Sequence, residues 1–139
     1  GEIINPVPQP PEDPAIVIAT PDWSVSTKSA FELLSEARGG RFPLTGGEGE
    51  REIEGLLEAL RKKERIGLLP NDFLPVLLTG YPEYADFFGA FERHGASAWG
   101  LTGSGSSAFG LFYDRSGPGA LFREMSKWSR VRKIFIWSD

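Results

Sequence analysis

Between residues 97 and 113 the chain reads "SAWGLT", then "GSGS", then "SAFGLFY". Two short apolar runs separated by glycines and serines read as two strands with a turn between them. Small residues let the chain reverse there, as in a hairpin loop. A second reading stays open on the same residues. Successive backbone N–H groups in such a loop form a nest that attracts phosphate oxygens, and serine hydroxyls add donors. The stretch lacks the lysine of a Walker loop and the strand–turn–helix setting of a dinucleotide fingerprint.

The rest of the chain supplies what those strands need. "AIVIAT" (15–20) is a short buried strand closed by Pro21. Residues 26–40 read as a helix capped by Ser26 or Thr27 and ended by Gly39, with Ala30, Phe31, Leu33, Leu34 and Ala37 as its apolar stripe. Residues 40–50 read as loop, and residues 51–66 as a second helix with Ile53, Leu56, Leu57 and Leu60 on one face. Residues 70–95 divide into two helices around Gly80 and Pro82; in the second, Tyr84, Phe87, Phe88 and Phe91 follow the i, i+3, i+4, i+7 spacing of a buried face. Residues 119–128 read as a helix and 133–137 as a last strand. Strand, several helices, strand, strand, helix, strand is the order of an α+β domain. The expected fold is an antiparallel sheet with helices on one face.

The 139 residues suit one domain with its own core, to which ten Phe and four Trp contribute. A net charge of −4 supplies no field for nucleic acid or an anionic membrane. The absence of cysteine excludes disulfides, thiolate catalysis and Cys-ligated zinc. No apolar run has the length of a membrane span, and no signal-peptide pattern opens the chain, so a cytoplasmic location is expected. "NPVPQPPEDP" (5–14) has five prolines in ten residues and reads as a linker. With the start at Gly1, it leads to the expectation of a piece cut from a longer protein.

No complete catalytic set is visible. His94, the single histidine, ends a helix, where a positive side chain suits the dipole; without a second His, no transition-metal site is expected. Glu48, Glu50, Glu52, Glu54 and Glu58 read as the solvated start of a helix. Arg123, Lys127, Arg130, Arg132 and Lys133 read as solvated surface. Asn71 and Asp72 are placed to cap the helix that follows.

Several separated stretches fit one family in the expected order: "GEIINPVPQPP" at the start, "SVSTKSAF" at 24–31, "ND" at 71–72 and "LTGSGSSAFGLF" at 101–112. Together they resemble the C-terminal half of the 4-diphosphocytidyl-2-C-methyl-D-erythritol kinases, a branch of the GHMP kinase superfamily. The resemblance implies a ferredoxin-like C-terminal domain over 15–139, with 1–14 as the interdomain linker. It implies ATP-dependent phosphorylation of the substrate's 2-hydroxyl, with Mg²⁺, in non-mevalonate isoprenoid synthesis. The family's catalytic Asp and Lys and its main ATP loop belong to the N-terminal half, and no such loop occurs here, so no catalytic residue is assigned and the chain alone is expected to be inactive. Gly103, Ser104, Gly105, Ser106 and Ser107 match the family's third motif, which implies one wall of the ATP and substrate cleft. Thr27 and Phe31 match positions near the methylerythritol end of the substrate pocket. The implied partners are the N-terminal kinase domain and a small-molecule substrate, with a homodimer possible through apolar surface left uncovered. Another GHMP kinase, or a free-standing ferredoxin-like ligand-binding module, is the alternative.

Overall fold

Strand β1 (Ala15–Pro21) alternates buried Ala15, Val17 and Ala19 with half-buried Ile16, Ile18 and Thr20, the period of a strand covered on one face. It is an interior strand of a five-stranded sheet, in a computed structural model that describes residues 13–40 and 48–138. Most of the proline-rich linker (1–14) and of the loop read over 40–50 therefore lies outside the described residues. The remaining strands are β2 (Gly67–Leu68), β3 (Ala98–Leu101), β4 (Ala108–Phe112) and β5 (Val131–Trp137), in the spatial order β2-β3-β4-β1-β5. β1 pairs antiparallel with both β4 and β5, and β3 with β4. Two split β-α-β units interleave in this way, the ferredoxin-like arrangement that the resemblance implies and with which the element order agrees. The short β2 was not anticipated and pairs parallel to β3, Gly67 opposite Ala98. Two residues carry no readable period.

The helices are α1 (Thr27–Ala37), α2 (Glu48–Arg61), α3 (Leu74–Gly80), α4 (Tyr84–Arg93) and α5 (Ser116–Met125). α4 and α5 cover one face of the sheet. Tyr84, Phe87, Phe88 and Phe91 are all buried, as their spacing predicts, and Gly110 of β4 lets the Phe91 ring approach. Full burial of such an aromatic side chain stabilises the fold by roughly 1.5–3 kcal/mol. α1 ends where expected: Gly39 at φ +57 donates to Glu36 O and Gly40 to Ser35 O, closing the helix by a left-handed turn. Gly95 does the same for α4.

Several boundaries differ from the sequence reading: α2 begins at Glu48, inside the stretch read as loop, and α5 ends at Met125 instead of 128. α2 stops at Arg61, not 66, because Lys63 takes the left-handed position (φ 55) usually given to glycine, with Glu64 N–H donating to Ala59 O. α5 starts at Ser116 instead of 119, after Asp114 accepts from the Ser116 N–H at 2.8 Å. The "SGPG" run resembles a turn, but its glycine is required by packing, since a Cβ on Gly117 would lie 2.4 Å from His94 O. β5 starts at Val131, two residues early. The α1 stripe is also only partly core: Ala30 and Leu34 are buried, whereas Phe31, Leu33 and Ala37 are exposed because α1 packs on α3 and not on the sheet. Among the described residues no helix is long and apolar enough to cross a membrane.

Candidate functional site

Thr102 to Ser107 form the loop between β3 and β4. The Thr102 N–H donates to Ser107 O at 2.9 Å, and Gly105 N–H donates back to Thr102 O at 2.9 Å. Gly103 (φ +52) and Gly105 (φ +89) occupy the left-handed region, which glycine enters without steric penalty. A Cβ on Gly105 would also sit 3.1 Å from Leu77 Cδ1, so the backbone rests directly on α3. The hairpin reading therefore holds, and the loop is tightly seated.

Four side chains from elsewhere in the chain fix it. Ser26 caps α1 by accepting from the Ser29 N–H at 3.0 Å, which sets Thr27 at the helix start. The Thr27 hydroxyl then lies 3.3 Å from that of Ser104. Thr20, near the end of β1, pairs its hydroxyl with Ser107 Oγ at 3.0 Å. Asn71 Oδ1 accepts from Phe73 N–H at 2.9 Å, shaping the approach to α3, while its Nδ2 donates to Gly103 O at 2.9 Å. From α4, the Tyr84 hydroxyl donates to Ser106 O at 2.9 Å. Burial pushes the Tyr84 phenol above its ordinary value, opposed in part by the neighbouring Trp23 indole, so it acts as a neutral donor. The Trp23 Nε1–H is the one buried side-chain polar atom without a hydrogen-bond partner among the described residues.

Thr27 and the Gly103–Ser107 loop, singled out separately in the sequence, are thus brought together. Phe31 lies one helical turn from Thr27, half exposed, its ring edge-to-face with Phe73 at 5.0 Å between centroids. Beside it, Arg38 of α1 binds Asp72 at 2.7 Å. Two grooves meet at the Asn71–Asp72 turn: one of about 490 Å³ bordered by Leu34 and Val76, the other of about 810 Å³ bordered by Ile53 and Ile66. The sequence reading did not assign Thr20, Asn71 or Tyr84 to the site. Asn71 carried a capping signal and a place in the family-like "ND" pair, and Tyr84 only a core spacing. Tyr84 is core as read, whereas α3 begins at Leu74 with no side-chain cap and Asn71 instead holds the Phe73 N–H ahead of the helix.

His94 is elsewhere. It sits at the far end of α4 from Tyr84, about 15 Å away along a helix of this length. Its Nε2 lies 2.6 Å from Glu124 Oε2, and Arg93 holds the other oxygen at 2.7 Å. These bonds hold the Glu124 carboxyl below its ordinary range, His94 contributing most. The group ties α4 to α5. Glu52, Glu54 and Glu58 are exposed on α2, Glu58 pairing with Arg61 and Lys62, and the side chains of Glu48 and Glu50 lie outside the described residues. Arg123, Lys127, Arg130, Arg132 and Lys133 are likewise exposed. Among the described residues no three His, Asp or Glu side chains converge.

The profile of the GHMP kinases C-terminal family matches residues 50–130, more than half of the chain. The chain is 33% identical over 130 residues to a 4-diphosphocytidyl-2-C-methyl-D-erythritol kinase of Nitratidesulfovibrio vulgaris (strain DP4), covering 90% of this chain and 42% of that protein. It is 32% identical over 123 residues to the enzyme of the same name from Solibacter usitatus (strain Ellin6076), covering 88% and 37%. The chain thus spans about two fifths of the length of these relatives. The fold superposes on a crystal structure of 4-(cytidine 5'-diphospho)-2C-methyl-D-erythritol kinase with a TM-score of 0.67 at 21% identity, covering 91% of this chain and 42% of that one. It superposes on homoserine kinase from Cytophaga hutchinsonii with a TM-score of 0.69 at 20% identity, covering 95% and 44%. With its antiparallel βαββαβ core and its glycine loop between β3 and β4, the chain belongs to the C-terminal family of the GHMP kinases.

Proposed function

We propose that the chain is the C-terminal domain of a cytoplasmic ATP-dependent kinase that phosphorylates the 2-hydroxyl of 4-diphosphocytidyl-2-C-methyl-D-erythritol. One observation carries most weight: Thr27 and Ser104, 77 positions apart and in the two stretches on which the family likeness rests, meet hydroxyl to hydroxyl. In this reading residues 1–14 join the domain to an N-terminal half, and Gly103–Ser107 line one wall of the cleft between the two. Thr27 and Phe31 contact the substrate. The half-exposed Phe31 ring, braced by Phe73, offers an open face to an apolar or planar part of it and excludes water there. The groups that bind Mg²⁺ and activate the hydroxyl belong to the N-terminal half, as the family likeness implies. Exposed Phe135 and Trp137 give a homodimer a surface to use, which sedimentation of the purified chain measures.

A second reading, a homoserine-type GHMP kinase, is favoured by the comparable superposition on homoserine kinase. One assay separates them. The full-length protein with ATP and Mg²⁺ is expected to phosphorylate the cytidyl substrate and leave homoserine untouched, and the present chain alone is expected to do neither. Turnover of homoserine alone moves the assignment to the second reading. Robust turnover by the isolated chain refutes the division of labour between the halves.

A further inference from the structure

Asn71 and Tyr84 grip the glycine loop by its carbonyl oxygens, at Gly103 and Ser106 respectively, each at 2.9 Å. The Gly103–Ser104 and Ser106–Ser107 peptides are both trans. In a planar trans peptide the N–H points opposite to the C=O. Drawing the Gly103 carbonyl toward Asn71 therefore turns the Ser104 N–H away from it. Drawing the Ser106 carbonyl toward Tyr84 does the same for the Ser107 N–H. Neither N–H has a protein partner among the described residues, because the return bond of the hairpin to Thr102 O is taken by Gly105 N–H. Each serine hydroxyl is in turn anchored, Ser104 to Thr27 and Ser107 to Thr20.

We infer that Asn71 and Tyr84 are positioning residues that aim the Ser104 and Ser107 N–H groups outward as a pair of donors for a phosphate oxygen of the bound ligand. The role rests on the kinase reading for its ligand, but the geometry is local. Both side chains are placed for it. Asn71 is fixed at its other end by the Phe73 N–H. Tyr84 is buried among Trp23, Phe87 and Phe88 and has no freedom to turn away. A fixed pair of N–H donors already facing the anion needs no reorganisation when the ligand arrives, and that is the condition under which backbone donors are most effective.

The test uses the ¹⁵N-labelled chain titrated with inorganic pyrophosphate, read at the Ser104 and Ser107 amide resonances. In the parent chain both are expected to shift together and saturate. Asn71→Asp is isosteric and keeps the acceptor for Phe73 N–H, but loses the donor to Gly103 O. It is expected to abolish most of the Ser104 shift and to spare Ser107. Tyr84→Phe loses only the hydroxyl and is expected to do the reverse. Either change is expected to weaken pyrophosphate binding about tenfold, equivalent to roughly 1.4 kcal/mol. A merely structural role would lower the unfolding midpoint and alter both amides alike. That pattern overturns the inference, as do parent-chain amides that ignore pyrophosphate or variants that respond like the parent. Should Tyr84→Phe fail to fold, the Asn71→Asp arm, at a half-buried position, decides alone. None of these readouts requires turnover, so loss of the kinase reading in the activity assay is distinguishable from loss of this one.

Discussion

Replacing Gly117 with alanine is expected to destabilise the domain, although alanine is the better helix former. Gly117 lies in the first turn of α5, and a Cβ there would stand 2.4 Å from the backbone carbonyl oxygen of His94 and 2.9 Å from Phe112 Cδ1. The first contact is with backbone, so no side-chain rotation relieves it. Either α5 or the end of α4 must move by about 1 Å, in an interior packed too densely to absorb such a shift freely. Overpacking of this kind costs roughly 1–3 kcal/mol, against a helix-propensity gain of at most about 1 kcal/mol. A net loss of about 1 kcal/mol corresponds to a fall in thermal midpoint of roughly 3–5 °C for a domain of this size. Gly119, two residues on, is the internal control. Its nearest neighbour is the end of the Arg123 side chain at 3.6 Å, so Gly119→Ala is expected to stabilise by up to about 1 kcal/mol. Both midpoints are read by circular dichroism at one scan rate. A Gly117→Ala midpoint equal to or above the parent's refutes the steric argument, and so does a loss of equal size at Gly119.

The remaining predictions concern the ends of helices and the site. Ser26→Ala removes the α1 cap and is expected to cost about 1 kcal/mol in urea unfolding. Glu124 has its folded-state pKa depressed, so its stabilising contribution is present above its ordinary value and is lost as pH falls through the lower folded value. Denaturation midpoints of the parent are therefore expected to fall more steeply on acidification than those of Glu124→Gln, and parallel curves would refute the pairing. Phe31→Ala, at a half-exposed position, is expected to leave stability nearly unchanged while raising the KM of the full-length kinase for its alcohol substrate. An unchanged KM removes Phe31 from the site.

Where local pattern and tertiary packing agree, the sequence could be read directly. The aromatic spacing of α4 placed four core residues correctly, and Gly39 and Gly95 marked two helix ends, because these follow from periodicity and from backbone sterics alone. Lys63 was invisible as a helix stop since nothing about lysine prefers a left-handed conformation; the surrounding fold imposes it. Phe31 obeyed the helical period yet points to solvent, because a period names a face and does not say what the face meets. The site was half legible. Motifs singled out Thr27 and the glycine loop as candidates, but the grip of Asn71 on Gly103 spans 32 positions and that of Tyr84 on Ser106 spans 22. Contacts of that range leave no local trace.

The placement of β1 between β4 and β5 has a consequence for how the domain comes into being. Within this domain the first strand to be made is an interior strand of the sheet, and both of its neighbours are the last two to be made. Its register with β5 joins Ile16 to Trp137 across nearly the whole chain. Early helices can form locally while synthesis proceeds, but the sheet must wait until the last of its own strands has been made. Pairings of such long sequence separation close slowly. A truncation that removes β5 would turn β1 from an interior strand into an edge strand open to strands of other molecules, so a nascent or clipped domain is exposed to misassembly along the strand it made first.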